Sequence, residues 1–406
     1  MYVIKGRVID GNGNMIEKGV VVTDGNKIKT VCEEDAFIMP QDAEVLEVKD
    51  ATIMPGFIEQ HVHLGLGTAN YLMVYYKTDV QKTCQAVHDM EKLLEAGFTS
   101  VREVGGFGNY LAEAVEEGLV KGPRICSAGK ILSMTGGHGD FIQKLPIGTN
   151  AERNHVSVIA DGVDEVRKAC RMQFREGAKF IKTMTTGGVT SQADSPKASQ
   201  YTLSEIRAMV EEAELRGSYV SSHAQTLAGI KNALKGGIKS IEHGMELDDE
   251  CIELFHKTGA WLVPTFTVVK TYMDHMDILP PYAAEKIIIA NRNHLASFKK
   301  AYEAGIKIGF GADLVGDKNI CPYGINGMEF VLLNKAGMTP METIVAATKT
   351  GSELIMREDE LGTLEPGKLA DITICEGNPL DDISILADVN KIKMVILDGK
   401  IIKNIA

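Results

Sequence analysis

No stretch of the 406-residue chain stays apolar for the roughly 20 residues needed to cross a bilayer, so a membrane-spanning protein is not expected. Runs of Lys and Arg are missing too. With 43 basic against 55 acidic residues the net charge is −12, and the chain lacks the electrostatic footprint of a nucleic-acid binder. The start, Met1-Tyr2-Val3-Ile4-Lys5-Gly6, shows no basic head followed by a long apolar segment, so export is not expected. Cysteine follows no pattern: seven residues, an odd number, lie scattered from Cys32 to Cys375 without a CxxC pair. They read as reduced thiols of a cytoplasmic protein, not as a disulfide frame or a zinc knuckle. What is there is ordinary for a soluble globular protein, with 44% hydrophobic and 24% charged residues.

The two ends of the chain differ from its middle. Up to about residue 54 the sequence is short β-type runs with turns between them. Val20-Val21-Val22-Thr23 leads through Asp24-Gly25-Asn26 into Lys27-Ile28-Lys29-Thr30-Val31, a hairpin pattern. The far end repeats the style with Ala370–Cys375, Met394–Leu397, Asp398-Gly399 and Lys400–Ile402. One small sheet domain made from both termini, 1–54 plus 365–406, is expected. Between them, over 55–364, short apolar runs alternate with helical patterns. The expected strands are 56–63, 99–104, 124–128, 180–184, 219–223, 240–243, 261–264 and 307–312. An amphipathic helix is expected over 204–216, behind Thr202 and stopped by Gly217. Eight strands alternating with helices suit an α/β fold of the (β/α)₈ barrel type, for which about 250 residues is typical. A doubly wound open sheet is the rival, but its glycine fingerprint is absent after the first strand, which ends in His61-Val62-His63.

Polar chemistry collects at the expected strand ends. Side chains alternate across a strand, so His61 and His63 share one side. Two such imidazoles can share a metal, each with a nitrogen at about 2.0–2.1 Å from a zinc ion. Lys182 sits inside the apolar run Phe180-Ile181-Lys182, where a free ammonium is expensive to desolvate. His223 ends the next strand, His243 the one after, and Asp313 the last. The C-terminal ends of barrel strands are where that fold builds active sites. Four histidines, one lysine and one aspartate in barrel order form a candidate metal site. His88, His256 and His294 fall in helical patterns, and His155 and His275 in polar connections; all five are expected at the surface. Asp248-Asp249-Glu250 is expected to start a helix, whose positive end favours carboxylates.

With these residues in hand, the chain resembles the amidohydrolase superfamily, in its prolidase and imidazolonepropionase-like branch. The resemblance covers nearly the whole length. It rests on Pro55-Gly56-Phe57-Ile58-Glu59-Gln60-His61-Val62-His63, Gly136-Gly137-His138-Gly139-Asp140, Ile181-Lys182, Glu242-His243-Gly244 and Gly311-Ala312-Asp313. It continues through Ala336-Gly337-Met338-Thr339-Pro340 and the segment from Gly362 to Asp371. It implies a barrel with a small β-sandwich from both termini. It also implies two divalent metal ions, with zinc the leading candidate. His61, His63 and Asp313 would hold one and His223 and His243 the other, with a carboxylated Lys182 bridging both. The implied mechanism is attack by a metal-bridging hydroxide on a carbonyl, with Asp313 passing the proton to the leaving amine and His138 contacting the substrate oxyanion. Thr185-Thr186-Gly187-Gly188 is a further candidate for substrate contact.

Departures from the resemblance narrow the activity. Several prolidase-like relatives carry an aromatic residue two places after the strand-five histidine; here Gln225 stands there, so a tyrosine contact to a substrate carboxylate is not supported. Where many relatives have His-Gly after the last-strand aspartate, this chain has Tyr323-Gly324. Thr226 replaces the glutamate of the deaminase branch, and Lys182 argues against imidazolonepropionase itself. The expected activity is hydrolysis of small linear amides, Xaa-Pro or other dipeptides or N-acyl amino acids. A hydrolase of another C–N bond (cyclic amide, carbamate, urea) is the alternative, and a non-catalytic scaffold is a third reading. A small-molecule substrate is the expected partner, and homo-oligomer formation stays open.

Overall fold

The computed structural model describes residues 1–141, 156–191 and 194–406. Strands from the two chain ends join in one mixed sheet. Its order is Lys400–Asn404, Ile392–Leu397, Ile372–Glu376, Ala51–Pro55, Tyr2–Ile9, Met15–Asp24 and Lys27–Glu33, with Glu44–Leu46 also paired to Tyr2–Ile9. The junction is Ala51–Pro55, parallel to the first strand and antiparallel to Ile372–Glu376 with Ile53 opposite Ile374. Ile4, Val8, Val21, Ile53, Ile372, Ile374, Met394 and Ile396 bury one core there. Each such side chain contributes about 1.5–3 kcal/mol. The expected hairpin forms, and Gly25 turns it at φ +57°, a value glycine takes at no steric cost.

Between these ends lie two parallel sheets. One holds Phe57–Val62, Phe98–Glu103 and Arg124–Ser127. The other runs Ser157–Ile159, Ile131–Ser133, Ile181–Met184, Val220–Ala224, Ser240–His243, Trp261–Val263 and Lys307–Ile308. Every strand expected in this region is present. Ile131–Ser133 and Ser157–Ile159 are additional, each three residues long. Hydrogen bonds connect the sheets at both margins: Gln60 N–H donates to Phe310 O at 2.9 Å, Asp313 N–H to His61 O at 3.1 Å, and Lys179 N–H to Ser127 O at 2.7 Å. The strands are buried on both faces, which is why they read as apolar runs and not as alternating ones.

Local signals fix the helices. Thr202 and Glu205 form a reciprocal capping box at the start of Leu203–Glu214, and Gly217 at φ +64° closes the turn behind it. Asp248 caps Asp249–Thr258 by accepting from Cys251 N–H, so the acidic cluster does start a helix. All seven cysteines are free thiols. Among the described residues, no helix is long and apolar enough to cross a membrane.

Candidate metal centre

The C-terminal ends of the parallel strands converge on one cavity. Its lining includes His61, His63, His138, Lys182, His223, His243 and Asp313, and it encloses about 670 Å³ of empty space including its mouth. His61 and His63, alternate residues at the end of one strand, hold their rings 5.4 Å apart, and His61 lies 5.3 Å from His243. His223 and His243 rings are 4.6 Å apart because Ala224 stands in register with His243 on the neighbouring strand. Asp313 Oδ1 sits 3.4 Å from His61 Nε2 and 3.5 Å from His63 Nε2. The ligand atoms of His61, His63 and Asp313 fall within 4.8 Å of one another, tight enough for one ion.

Each imidazole has one nitrogen held by a hydrogen bond. His61 Nδ1 pairs with Glu242 Oε2 at 2.8 Å, His63 Nδ1 with Gly105 O at 2.7 Å and His223 Nε2 with Gly187 O at 3.2 Å. These partners only accept, so those ring nitrogens carry the hydrogen. His243 Nδ1 is held by Thr265 Oγ1 at 2.7 Å. In His61 and His63 the opposite nitrogen, Nε2, keeps its lone pair beside Asp313, the arrangement in which a metal-ligating histidine is oriented by its other nitrogen. Burial keeps the rings neutral: it pushes His63 down to about 4 and His61, His223 and His243 well below the usual range. Neutral imidazole is the metal-binding form.

Lys182 is the odd member. It is 1% exposed, and its Nζ has no hydrogen-bond partner. Burial pushes its ammonium down and pushes the Asp313 carboxyl up, so both are held toward their neutral forms. An orphaned amine among four neutral imidazoles and a carboxylate fits a pair of divalent cations once that amine is converted to an anion. The residues present therefore fit the group that the resemblance implies.

Backbone strain collects here. In a regular strand Glu242 and His243 would face opposite ways. His243 takes φ +75°, and both side chains reach the same cluster; Thr265 at φ +56° and Asp313 at φ +55° share the left-handed region. Such conformations persist where the surroundings over-determine them.

Glu242 itself carries no assigned role in the sequence reading. It is fully buried and accepts from both Arg102 Nη2 (2.7 Å to each oxygen), Ser221 Oγ and Ser240 Oγ (2.6 Å each) as well as from His61. Burial opposes its ionisation, yet Arg102 and Lys182 hold the carboxyl well below the usual range. Its signal was Ser240-Ile241-Glu242, two polar residues at period two on the interior face of an apolar strand. Glu242→Gln leaves Arg102 buried without its counter-charge, which costs about 3 kcal/mol or more. It also loosens the orientation of His61, lowering metal affinity about 10–100-fold. Calorimetry and metal titration check both. Glu59 acts similarly on the backbone, accepting from His61 N–H and Ala312 N–H at 3.0 Å and from Asn326 Nδ2 at 2.7 Å.

His138 stands on the loop after Ile131–Ser133 with its ring 4.4 Å from that of His223. Its Nδ1 meets Ser191 Oγ at 2.8 Å, and Ser191 is bonded to Asp194. Gly188 packs on the His138 ring so closely that an added Cβ would fall 2.1 Å from Cε1. Other expectations need correction. The Thr185 and Thr186 hydroxyls do not line the cavity: Thr185 Oγ1 bonds Ser222 Oγ at 3.0 Å, and Thr186 Oγ1 accepts from Gln225 N–H at 3.1 Å. Val189 and Thr190 line it instead. Thr226 turns away and donates to Pro196 O at 2.6 Å, and Tyr323 OH accepts from His63 N–H at 3.0 Å. His294 is not at the surface. It is fully buried against Phe266, with ring centroids 4.4 Å apart, beneath the backbone of His243. His88 and His256 are exposed and His275 half-buried, while His155 lies outside the described residues.

Known proteins share this arrangement of elements. The model of the amidohydrolase family matches residues 52–402. Ochratoxinase of Aspergillus niger is 34% identical over 370 residues, spanning 86% of this chain and 75% of that protein. A prolidase crystallised with N-methylphosphonate-L-proline superposes with TM-score 0.94 at 33% identity over 99% of both chains. A Xaa-Pro dipeptidase with methionine bound in its active site gives 0.90 at 32% identity, covering 99% of this chain and all of the other.

Proposed function

The chain belongs to the amidohydrolase family and is an enzyme acting on C–N bonds, and we propose that it hydrolyses the amide bonds of dipeptides, Xaa-Pro or other, or of N-acyl amino acids at a binuclear metal centre. In the same reading, the two parallel sheets are arcs of one (β/α)₈ barrel over 55–364, and the terminal sheet is a small β-sandwich domain of 1–54 and 365–406. The free thiols suit a reducing cytoplasm. The observation that carries the proposal is Lys182 Nζ, buried without a partner among four oriented imidazoles.

His61, His63 and Asp313 would hold one ion and His223 and His243 the other, with Lys182 serving both as its carbamate. Divalent ions, zinc first by the donor set, supply Lewis acidity that brings the pKa of a bound water toward neutrality and polarises a carbonyl. The protein does the rest. The carbamate forms when the neutral Lys182 nitrogen attacks the carbon of carbon dioxide and one proton leaves. Asp313 accepts the proton of the attacking water at a carboxylate oxygen and delivers it to the leaving nitrogen. His138, fixed through Nδ1 by Ser191, lines the cavity where the oxyanion develops.

Purified protein is expected to carry about two divalent ions per chain on elemental analysis, in line with this donor set. The double variant His61→Ala/His63→Ala should lose one site and all turnover. A library of dipeptides and N-acyl amino acids, extended to carbamates and ureas and read by amine release, tests the reaction class. Full activity in the double variant would refute the assignment.

A further inference from the structure

We propose that Lys286 is a positioning residue for the reaction: by gathering Gly188, Ser191 and Asp194 around its ammonium, it aims the His138 ring at the carbonyl under attack. The inference rests on the reading in which His138 meets the developing oxyanion, and it adds a residue which that reading leaves out.

The buried His138 ring is held at one nitrogen. Its Nδ1 pairs with Ser191 Oγ at 2.8 Å and lies 3.5 Å from Asp194 Oδ2. Ser191 Oγ is itself bonded to Asp194, and Gly188 packs against the ring. Gln200 ties the same group together: its Nε2 donates to Asp194 Oδ2 at 3.3 Å, and its Oε1 accepts from His138 N–H at 3.1 Å. Gly188, Ser191 and Asp194 belong to no helix or strand. No ladder of backbone hydrogen bonds therefore fixes the residues that fix the ring.

Lys286 supplies that fixation from elsewhere in the chain. It stands on the helix Pro281–Asn291. Its Nζ donates to Gly188 O at 3.2 Å, Ser191 O at 2.7 Å and Asp194 O at 2.5 Å, and Asp194 Oδ1 lies 3.4 Å away. An ammonium has three donors; three carbonyls take them, and the carboxylate supplies the counter-charge. Tyr282 of the same helix donates to Thr190 O at 3.4 Å. The Lys286 side chain is only 16% exposed and that of Asp194 4%, so solvent screens the pair little. The contact also crosses the site. Trp261–Val263, the strand before this helix, stands three places along the sheet from Ile181–Met184, the strand before Gly188. Both sides of the bridge line the cavity, Val189 and Thr190 at one and Ile287 at the other. Without the ammonium, three carbonyls and a buried carboxylate lose their common partner, and the ring they hold loses its aim.

The test is a double-mutant cycle with His138, run on metal-loaded enzyme with leucylproline as substrate. Lys286→Met keeps the stem and removes the ammonium. It should keep the metal content of wild type, keep KM within about two-fold and lose about 10–100-fold in kcat, the scale of removing an outer partner that orients a working side chain. Affinity for the tetrahedral analogue N-methylphosphonate-L-proline should fall with kcat. His138→Ala should lose at least as much. The double variant Lys286→Met/His138→Ala should lose no more than His138→Ala alone, within about two-fold, because both changes remove one interaction. Lys286→Arg, which returns charge and donors, should recover part of kcat. A lower thermal midpoint with unchanged kcat makes Lys286 a structural staple and overturns the inference. So do losses that multiply in the double variant, or a kcat that excess metal fully restores, since Lys286 then acts other than through His138. A wild-type kcat in His138→Ala removes the oxyanion role and the inference with it. If the wild type turns over carbamates or ureas and no dipeptide, the amide reading fails alone, and the same cycle on those substrates still decides the role of Lys286.

Discussion

Lys182→Ala is expected to purify folded, with its metal content depleted and its turnover reduced by at least about 10²–10³-fold, the scale of losing one electrostatic element of an active site. The reasoning starts from the unmodified lysine. Its Nζ is buried without a partner, and a cation in that position is desolvated and repelled by any bound divalent ion. Burial already pushes the amine toward its neutral form, the form that attacks carbon dioxide. Carboxylation would replace an unfavourable cation by an anion with two oxygens, which a pair of divalent ions would favour. Removing the side chain would therefore remove the proposed bridging ligand, while it breaks no hydrogen bond of the metal-free protein. The metal-free variant should unfold at a temperature no lower than metal-free wild type. The space left behind admits a small acid, so acetate or propionate should restore part of the metal and part of the activity in a concentration-dependent way. Native mass spectrometry of the wild type should show the additional carboxyl group and lose it on metal removal. A variant with full metal and full activity would sink the binuclear reading and move the chain toward one-metal chemistry.

What could be read from the sequence and what could not divide along physical lines. The parallel strands were visible because burial on both faces makes them continuous apolar runs, and the ligands were visible because each stands where such a run ends. Ile131–Ser133 and Ser157–Ile159 were not, since three residues carry no period. Glu242 escaped assignment because its role depends on Arg102 and His61, which lie 140 and 181 residues away in sequence. His294 shows a signal that was present and unused. The buried positions of its helix are His294, Ser297, Phe298 and Ala301, the i, i+3, i+4, i+7 stripe, which places His294 inside.

Asp313→Asn separates chemistry from folding more cleanly than any other substitution here. The backbone at Asp313 is left-handed at φ +55°, a region asparagine tolerates as aspartate does. Its N–H donates to His61 O at 3.1 Å whichever side chain is present. Size and backbone are thus retained, and the thermal midpoint should stay close to that of wild type. What changes is charge. Asp313 Oδ1 lies within 3.5 Å of both His61 Nε2 and His63 Nε2, so in the proposed centre the carboxylate supplies negative charge beside two neutral imidazoles, and an amide would bind a divalent cation more weakly. An amide also has no basic oxygen to carry a proton from the attacking water to the leaving amine. Turnover should fall about 10²-fold or more, the lower end for a general acid–base group. Supplementing the assay with excess metal should refill the site without restoring kcat, since occupancy and proton transfer are separate losses. If kcat recovers fully with metal, Asp313 is only a ligand; if it never falls, the proton takes another route and the assignment of the shuttle is wrong.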